Sequence, residues 1–230
     1  MLRLVWISLF ILCSNWAISA SIDPATLLAG VKKKYDLVRD YTASAQLKTN
    51  VLFIKAPLSQ VTVYYKRPDQ LKIKNQKGIS FVPKGTVNIN LNNVLGLRNF
   101  EAIAAGTALV DGINCEIIKI FPLNDEEDIT RATLYVDPTR LLVVKSIIST
   151  RESGTYQISM QYGAYASWGL PDRVWVEFNT REFKLPKGTT LDYNNGATNV
   201  TTPKGPQKGK VEILYRSYKI NQGVSDEIFR

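Results

Sequence analysis

The side chains that could do chemistry are few, and their types exclude more than they permit. The 230-residue chain contains no histidine. That removes the usual general base, every Ser-His-Asp or Cys-His arrangement and the commonest metal ligand. There is no glycine-rich phosphate loop and no cysteine pair for zinc. Cys115 sits in the apolar stretch 113–118 and reads as a small buried hydrophobe, since no base to activate the thiol stands nearby. Asp125, Glu126, Glu127 and Asp128 form a dense acidic run, but without the alternating ligands and glycine of a calcium loop. It reads as a solvated turn. No carboxylate pair of the glycosidase kind is singled out. The expectation is a binding or carrier protein rather than an enzyme, with no cofactor and no metal.

One residue stands apart. In the stretch 61–67, Val61, Val63 and Tyr65 fall on one face of a strand, and the period of two carries Arg67 onto that same face. An inward arginine needs partners, because an unpaired buried charge is costly. Its guanidinium offers five donors, for backbone carbonyls of a covering element or for the polar head of a lipid. The alternative is that Pro68 ends the pairing and Arg67 reaches water beyond the strand. The residues alone leave both open.

The elements that must position these groups follow from periodicity. Asp23 is a good N-cap and Pro24 suits the first helical turn. Leu27, Val31, Tyr35 and Val38 then recur at helical spacing. After Asp40 the period changes to two. Strands are expected at 41–48, 61–66, 71–74, 87–91, 116–121, 131–136, 141–150, 155–162, 174–180 and 210–218, separated by turns such as Asp111-Gly112, Asp137-Pro138 and Gly169-Leu170-Pro171. A second helix is expected at 93–105, with Val94, Leu97, Phe100 and Ala104 on one stripe. The stretch 194–209, rich in Gly, Asn, Thr, Pro and Lys, reads as a long hairpin loop.

So many strands joined by turns imply a large antiparallel sheet that must curl, split or close. The fold class expected is mainly β, an unclosed antiparallel half-barrel with the N-terminal helix and a second helix as lid or plug. Its concave apolar face would be lined by Val61, Val63, Tyr65, Leu71, Ile73, Val143, Ile158, Met160, Val176 and Phe178. The helix residues Val94, Leu97 and Phe100 would face it. Whether the helices fill that face or leave a pocket is not a sequence property.

The first residues have a different character. Arg3, the apolar run 4–12 and the small-residue exit Ala17-Ile18-Ser19-Ala20 have the order of a secretory leader. The run is too short for a membrane span. Residues 1–20 are therefore expected to be removed on export to the periplasm, with cleavage after Ser19 as the near alternative, leaving 21–230 as one domain. Cys13 follows Phe10-Ile11-Leu12, not the small residue a lipid-modified cysteine needs. The net charge of +9 favours acidic partners or anionic surfaces. Nucleic acid is not expected as a partner outside the cytoplasm. The lysines are dispersed, as on solvated strands and loops.

The helix, then Asp40-Tyr41-Thr42-Ala43-Ser44-Ala45, then Tyr64-Tyr65-Lys66-Arg67-Pro68-Asp69-Gln70-Leu71-Lys72-Ile73, resembles the LolA/LolB superfamily of outer-membrane lipoprotein carriers. The segments 135–145 and 169–176 resemble later parts of the same layout. The resemblance implies an unclosed β-barrel with a helical lid, a cavity for acyl chains of a lipid or lipoprotein, and traffic to or from the outer membrane. It also implies that Arg67 bonds the lid and biases the closed cavity. The Asp-Gly-x-x-aromatic hairpin of the carrier is absent from 81–105, and the loop 194–209 is additional; these departures point to a paralogue with another lipid or another partner. The expected partners are acyl chains and, transiently, a membrane protein, with the chain a monomer. The same fold also implies an alternative role as a periplasmic regulator that binds a membrane protein.

Overall fold

The computed structural model describes residues 22–51, 54–68, 70–75, 91–151, 154–179 and 208–229. The expected leader, residues 87–90 of the expected fourth strand, and residues 194–207 of the expected loop lie outside them. Helix α1 spans Pro24–Tyr35. Asp23 caps it by accepting from the Thr26 backbone N–H at 2.9 Å, which satisfies one orphan donor of the first turn. Leu27, Leu28 and Val31 are buried along one side. The helix ends three residues before Val38, which is nonetheless buried.

The strands are β1 (Asp40–Val51), β2 (Ile54–Lys66), β3 (Gln70–Asn75), β4 (Phe100–Val110), β5 (Ile113–Pro122), β6 (Ile129–Asp137), β7 (Leu142–Thr150), β8 (Gly154–Gln161), β9 (Arg173–Asn179) and β10 (Lys208–Ile220). They form one antiparallel sheet in the order β3-β2-β1-β10-β9-β8-β7-β6-β5-β4. β3 and β4 are its edges and do not pair with each other, so the barrel stays open. A short helix α2, Leu91–Leu95, precedes β4. The expected half-barrel with a helical cover is the observed fold class.

The expected helix at 93–105 is a correction. Only its first residues are helical, in α2; Leu97 lies beyond α2 and Phe100 opens β4. Val94 and Leu97 are buried and Phe100 packs on the core from the strand. The alanine-rich stretch has helical spacing by accident. Pairing with β5 decides the matter, and Gly106 at φ +87 sits where the register shifts between Ala104 and Thr107. That backbone suits a bulge and not a helix.

Two further bulges shape the concave face. Ser44 pairs with Ser217 but Ala45 with Tyr215, so Arg216 is an extra residue in β10. The inward set of β10 therefore runs Val211, Ile213, Tyr215 and then Tyr218. Tyr215 and Tyr218 stack as a result, with centroids 4.9 Å apart at 23°. In β7, Val144 is extra between Val143, which pairs with Val136, and Lys145, which pairs with Tyr135. This keeps Val143, Ser146 and Ile148 on the inner face.

Candidate functional site

Under the strands β3-β2-β1-β10-β9-β8 lies a cavity of about 130 Å³. β1 contributes Tyr41 and Leu47, β2 Tyr65, and β3 Leu71 and Ile73. β8 contributes Ile158 and Met160, β9 Val174 and Val176, and β10 Val211, Ile213 and Tyr215. The cover is made by Tyr35 and Val38 at the end of α1, by Leu91 of α2, and by Trp168–Pro171 in the connection from β8 to β9. No charged side chain lines it. The polar side-chain atoms on offer belong to the phenols of Tyr35, Tyr41, Tyr65 and Tyr215 and the indole of Trp168.

Those tyrosines form a connected group. Tyr41 stacks on Tyr65 with centroids 5.2 Å apart and meets Tyr218 edge-on at 5.2 Å. Tyr165 meets Tyr218 at 4.9 Å. The Tyr218 hydroxyl donates to the Pro171 carbonyl at 2.7 Å, which ties the cover to the sheet. Burial pushes the Tyr215 phenol up to about 12, although a bond with Tyr41 works the other way. Burial also raises Tyr35, Tyr41, Tyr162 and Tyr218. All are therefore neutral near pH 7, as an apolar site requires.

Helix α1 is fastened over the cavity by a few polar contacts. The Tyr35 and Tyr162 hydroxyls lie 2.8 Å apart, and Tyr162 donates to the Val143 carbonyl at 2.8 Å. Lys34 Nζ donates to the Arg140 carbonyl. Arg67 supplies the third fastening. Its guanidinium lies 3.1 Å from the Asp36 carboxylate and donates to the Asp36 carbonyl at 3.1 Å. Asp36 is the C-cap of α1.

Arg67 therefore sits just past the end of β2 with its side chain 42% exposed. Of the two placements the residues left open, the structure combines parts of each: β2 stops at Lys66, and the guanidinium, half exposed, bonds the carbonyl and carboxylate at the end of the covering helix without lining the cavity.

Of the residues expected to line the concave face, Tyr65, Leu71, Ile73, Ile158, Met160 and Val176 border the cavity. Val61, Val63, Val143 and Phe178 do not; they are buried in the core. Val61 and Val63 face Ala45 and Ala43 of β1 and are fully enclosed. Phe178 lies over its register partner Gly209, where an added Cβ would come within 2.4 Å of the ring. Of the expected lid residues, Val94, Leu97 and Phe100 belong to the core and none borders the cavity.

Trp168, Leu170 and Pro171 escaped periodicity because a turn has none. The Gly169-Leu170-Pro171 breaker was the available signal, and Gly169 takes φ +70 there.

A second hollow, of about 450 Å³, is lined by Asp111, Arg140, Gln161, Asp172 and Arg173 among others. Arg140 Nε donates to Asp137 at 2.6 Å, Arg173 faces Glu212 at 3.5 Å, and Asp172 accepts from the Ala164 N–H at 3.3 Å. Its lining mixes these charged groups with apolar side chains such as Val144, Met160 and Leu214. Among the described residues, no group of three His, Cys, Asp or Glu is placed to hold a metal ion. Burial pushes the Cys115 thiol up to about 11, where it is a poor nucleophile.

No protein-family model matches the chain, and no curated protein matches it by sequence. Solved structures do. A LolA-superfamily protein from Nitrosomonas europaea matches at 9% identity and TM-score 0.56, over 91% of this chain and 98% of that one. A putative outer-membrane lipoprotein-sorting protein domain from Vibrio parahaemolyticus matches at 7% identity and TM-score 0.54, over 90% and 97%. A DUF1329-family protein from Desulfovibrio piger matches at 15% identity and TM-score 0.55, over 91% and 98%. At these identities the likeness is one of fold. The chain shares its fold with these structures.

Proposed function

We propose that the protein is a periplasmic carrier that takes acyl chains of a lipid or lipoprotein into its concave cavity, and that it is not an enzyme. The observation that carries this reading is the cavity lining: aliphatic and aromatic side chains with no charge, beneath a cover held by a handful of polar contacts. The drive for uptake is apolar burial, at about 25 cal/mol per Å². The fold-level likeness to a lipoprotein-sorting domain is in keeping with it.

The cavity's 130 Å³ is below the roughly 300–1,000 Å³ of sites that hold whole ligands. On this reading the structure is the closed state. Admission of a chain moves α1 and the 166–171 connection off the sheet. The Arg67–Asp36 pair at the end of α1 then favours closure, as a differential contact between two states must.

Native mass spectrometry of the purified protein tests the reading. Acyl-bearing lipid should survive on the protein and leave when the cavity is filled by Ile213→Phe. A clean, lipid-free spectrum even after incubation with lipid would contradict it.

A further inference from the structure

We propose that the rim of the cavity mouth, made by the end of α1, Leu37, Arg67 and Trp168, docks on an anionic lipid surface. This rests on the acyl-binding reading, and it adds where the carrier meets its source. Trp168 lines the cavity and is still 39% exposed, so its ring stands in the mouth. Its neighbour Gly169 lies against the helix: an added Cβ there would be 3.4 Å from the Lys34 side chain and 3.7 Å from the Tyr35 ring. Trp168 is thereby held beside the last turn of α1. Leu37 follows directly on that turn and is 50% exposed. Its exposure is fixed by the backbone: the Leu37 N–H donates to the Lys34 carbonyl, and Asn221 Nδ2 donates to the Leu37 carbonyl at 2.8 Å.

The chain around the end of α1, beside which both residues stand, is basic. Lys32, Lys33 and Lys34 end the helix, and Arg39 and Arg67 are joined by the Arg67 N–H donating to the Arg39 carbonyl at 2.9 Å. Against these cations stand Asp36 and Asp40, and Asp36 is shared between Lys32 and Arg67. An exposed indole and an exposed leucine beside a helix end with more cations than carboxylates match an anionic bilayer in both layers. The rings and methyls enter the headgroup zone, and the cations meet the phosphates. The cavity mouth then faces the acyl region, so a chain need not cross water.

Hydrogen–deuterium exchange on the full chain tests this, with vesicles of phosphatidylcholine alone or of phosphatidylcholine and phosphatidylglycerol in equal parts. Peptides over 31–40 and 164–170 should slow with the anionic vesicles and not with the neutral ones, while peptides over β5 and β6 stay unchanged. Two variants follow by the same readout: Leu37→Ser with Trp168→Ser, and Lys33→Glu with Arg39→Glu. Each should weaken rim protection on the order of tenfold in lipid concentration, and the second removes no buried group.

Unaltered exchange at the rim, or slowing only when a membrane protein is added, would overturn the docking surface. Acyl lipid on the protein without rim protection would leave the carrier reading standing alone. Rim protection without acyl binding would keep the docking surface and remove the carrier.

Discussion

Strands β4 to β7 and strands β8 to β10 with β1 to β3 share one sheet, yet among the described residues the first group gives no side chain to the cavity. In the first group the inward side chains of β5 to β7 include Ile118, Ile120, Ala132, Leu134, Val136, Val143 and Ile148, each no more than 1% exposed; its partly buried members, Phe100 and Ala102, sit on the edge strand β4. Aliphatic side chains of this kind interdigitate until no space is left. In the second group, Leu71, Ile73, Val174, Ile213 and Tyr215 remain only partly buried. Rigid rings alternate there with aliphatic residues, and each hydroxyl needs a partner, which keeps the rings standing instead of collapsing. One half of the sheet is built for stability and the other tolerates a space.

The largest effect that would break this comparison comes from pH. Tyr215 titrates near 12 in the folded chain against 10.0 as its ordinary value, and its neighbours are raised as well. Between those values the unfolded chain has released protons that the folded chain still holds. Stability present below pH 10 is therefore lost as pH rises toward 12. Unfolding followed by circular dichroism, with tyrosinate absorbance alongside, should show both changing together in that window. Phenols titrating near 10 in a chain that stays folded would mean that the hollow half is wet.

Next in size is Leu134→Ala in the packed half. It should cost about 2–5 kcal/mol in denaturant unfolding and leave acyl binding unchanged. Ile213→Phe in the hollow half should reverse the pattern, with a smaller stability change than Leu134→Ala because the cavity takes up the added ring, and binding lost. Equal destabilisation by the two would erase the distinction between the halves.

Ser146 sharpens the comparison from within. It is fully buried on the inner face between Leu134 and Ile158, and its hydroxyl has no hydrogen-bond partner. Ser146→Ala should be neutral or stabilising by about 1 kcal/mol in thermal unfolding, because the desolvation cost disappears. A loss of stability would reveal a bond to the hydroxyl. The smallest effect on stability belongs to Arg67→Leu. Its pair with Asp36 is half exposed and worth about 0–1 kcal/mol, yet acyl exchange, followed by stopped flow, should become faster as the cover loosens. An unchanged rate would show that the cover is held elsewhere.

Much of the fold was legible because a period of two is hard to mimic. Tyr41 to Leu47, Leu71 to Ile73 and Tyr156 to Met160 fell on their observed faces. β4 was not legible, because its alanines and chance spacing favour a helix until β5 pairs with it. The bulges at Arg216 and Val144 were hidden as well, since an extra residue has no type of its own. They reset which side chains look inward. For the site, the strand half was readable from Tyr65, Leu71, Ile73, Ile158, Met160 and Val176. Trp168, in a turn, was not. Phe178 misled because its space is set by a glycine thirty-odd positions away, and Arg67 stayed open because one residue beyond a strand the alternation no longer decides.

The central claim is that an apolar chain enters the hollow half and nowhere else. Titration with an environment-sensitive fluorescent fatty acid measures this directly, on the wild type, Ile213→Phe and Leu134→Ala side by side. The account predicts one saturable site in the wild type and in Leu134→Ala, and no saturable site in Ile213→Phe. Equal binding by all three, or none by the wild type, would contradict it.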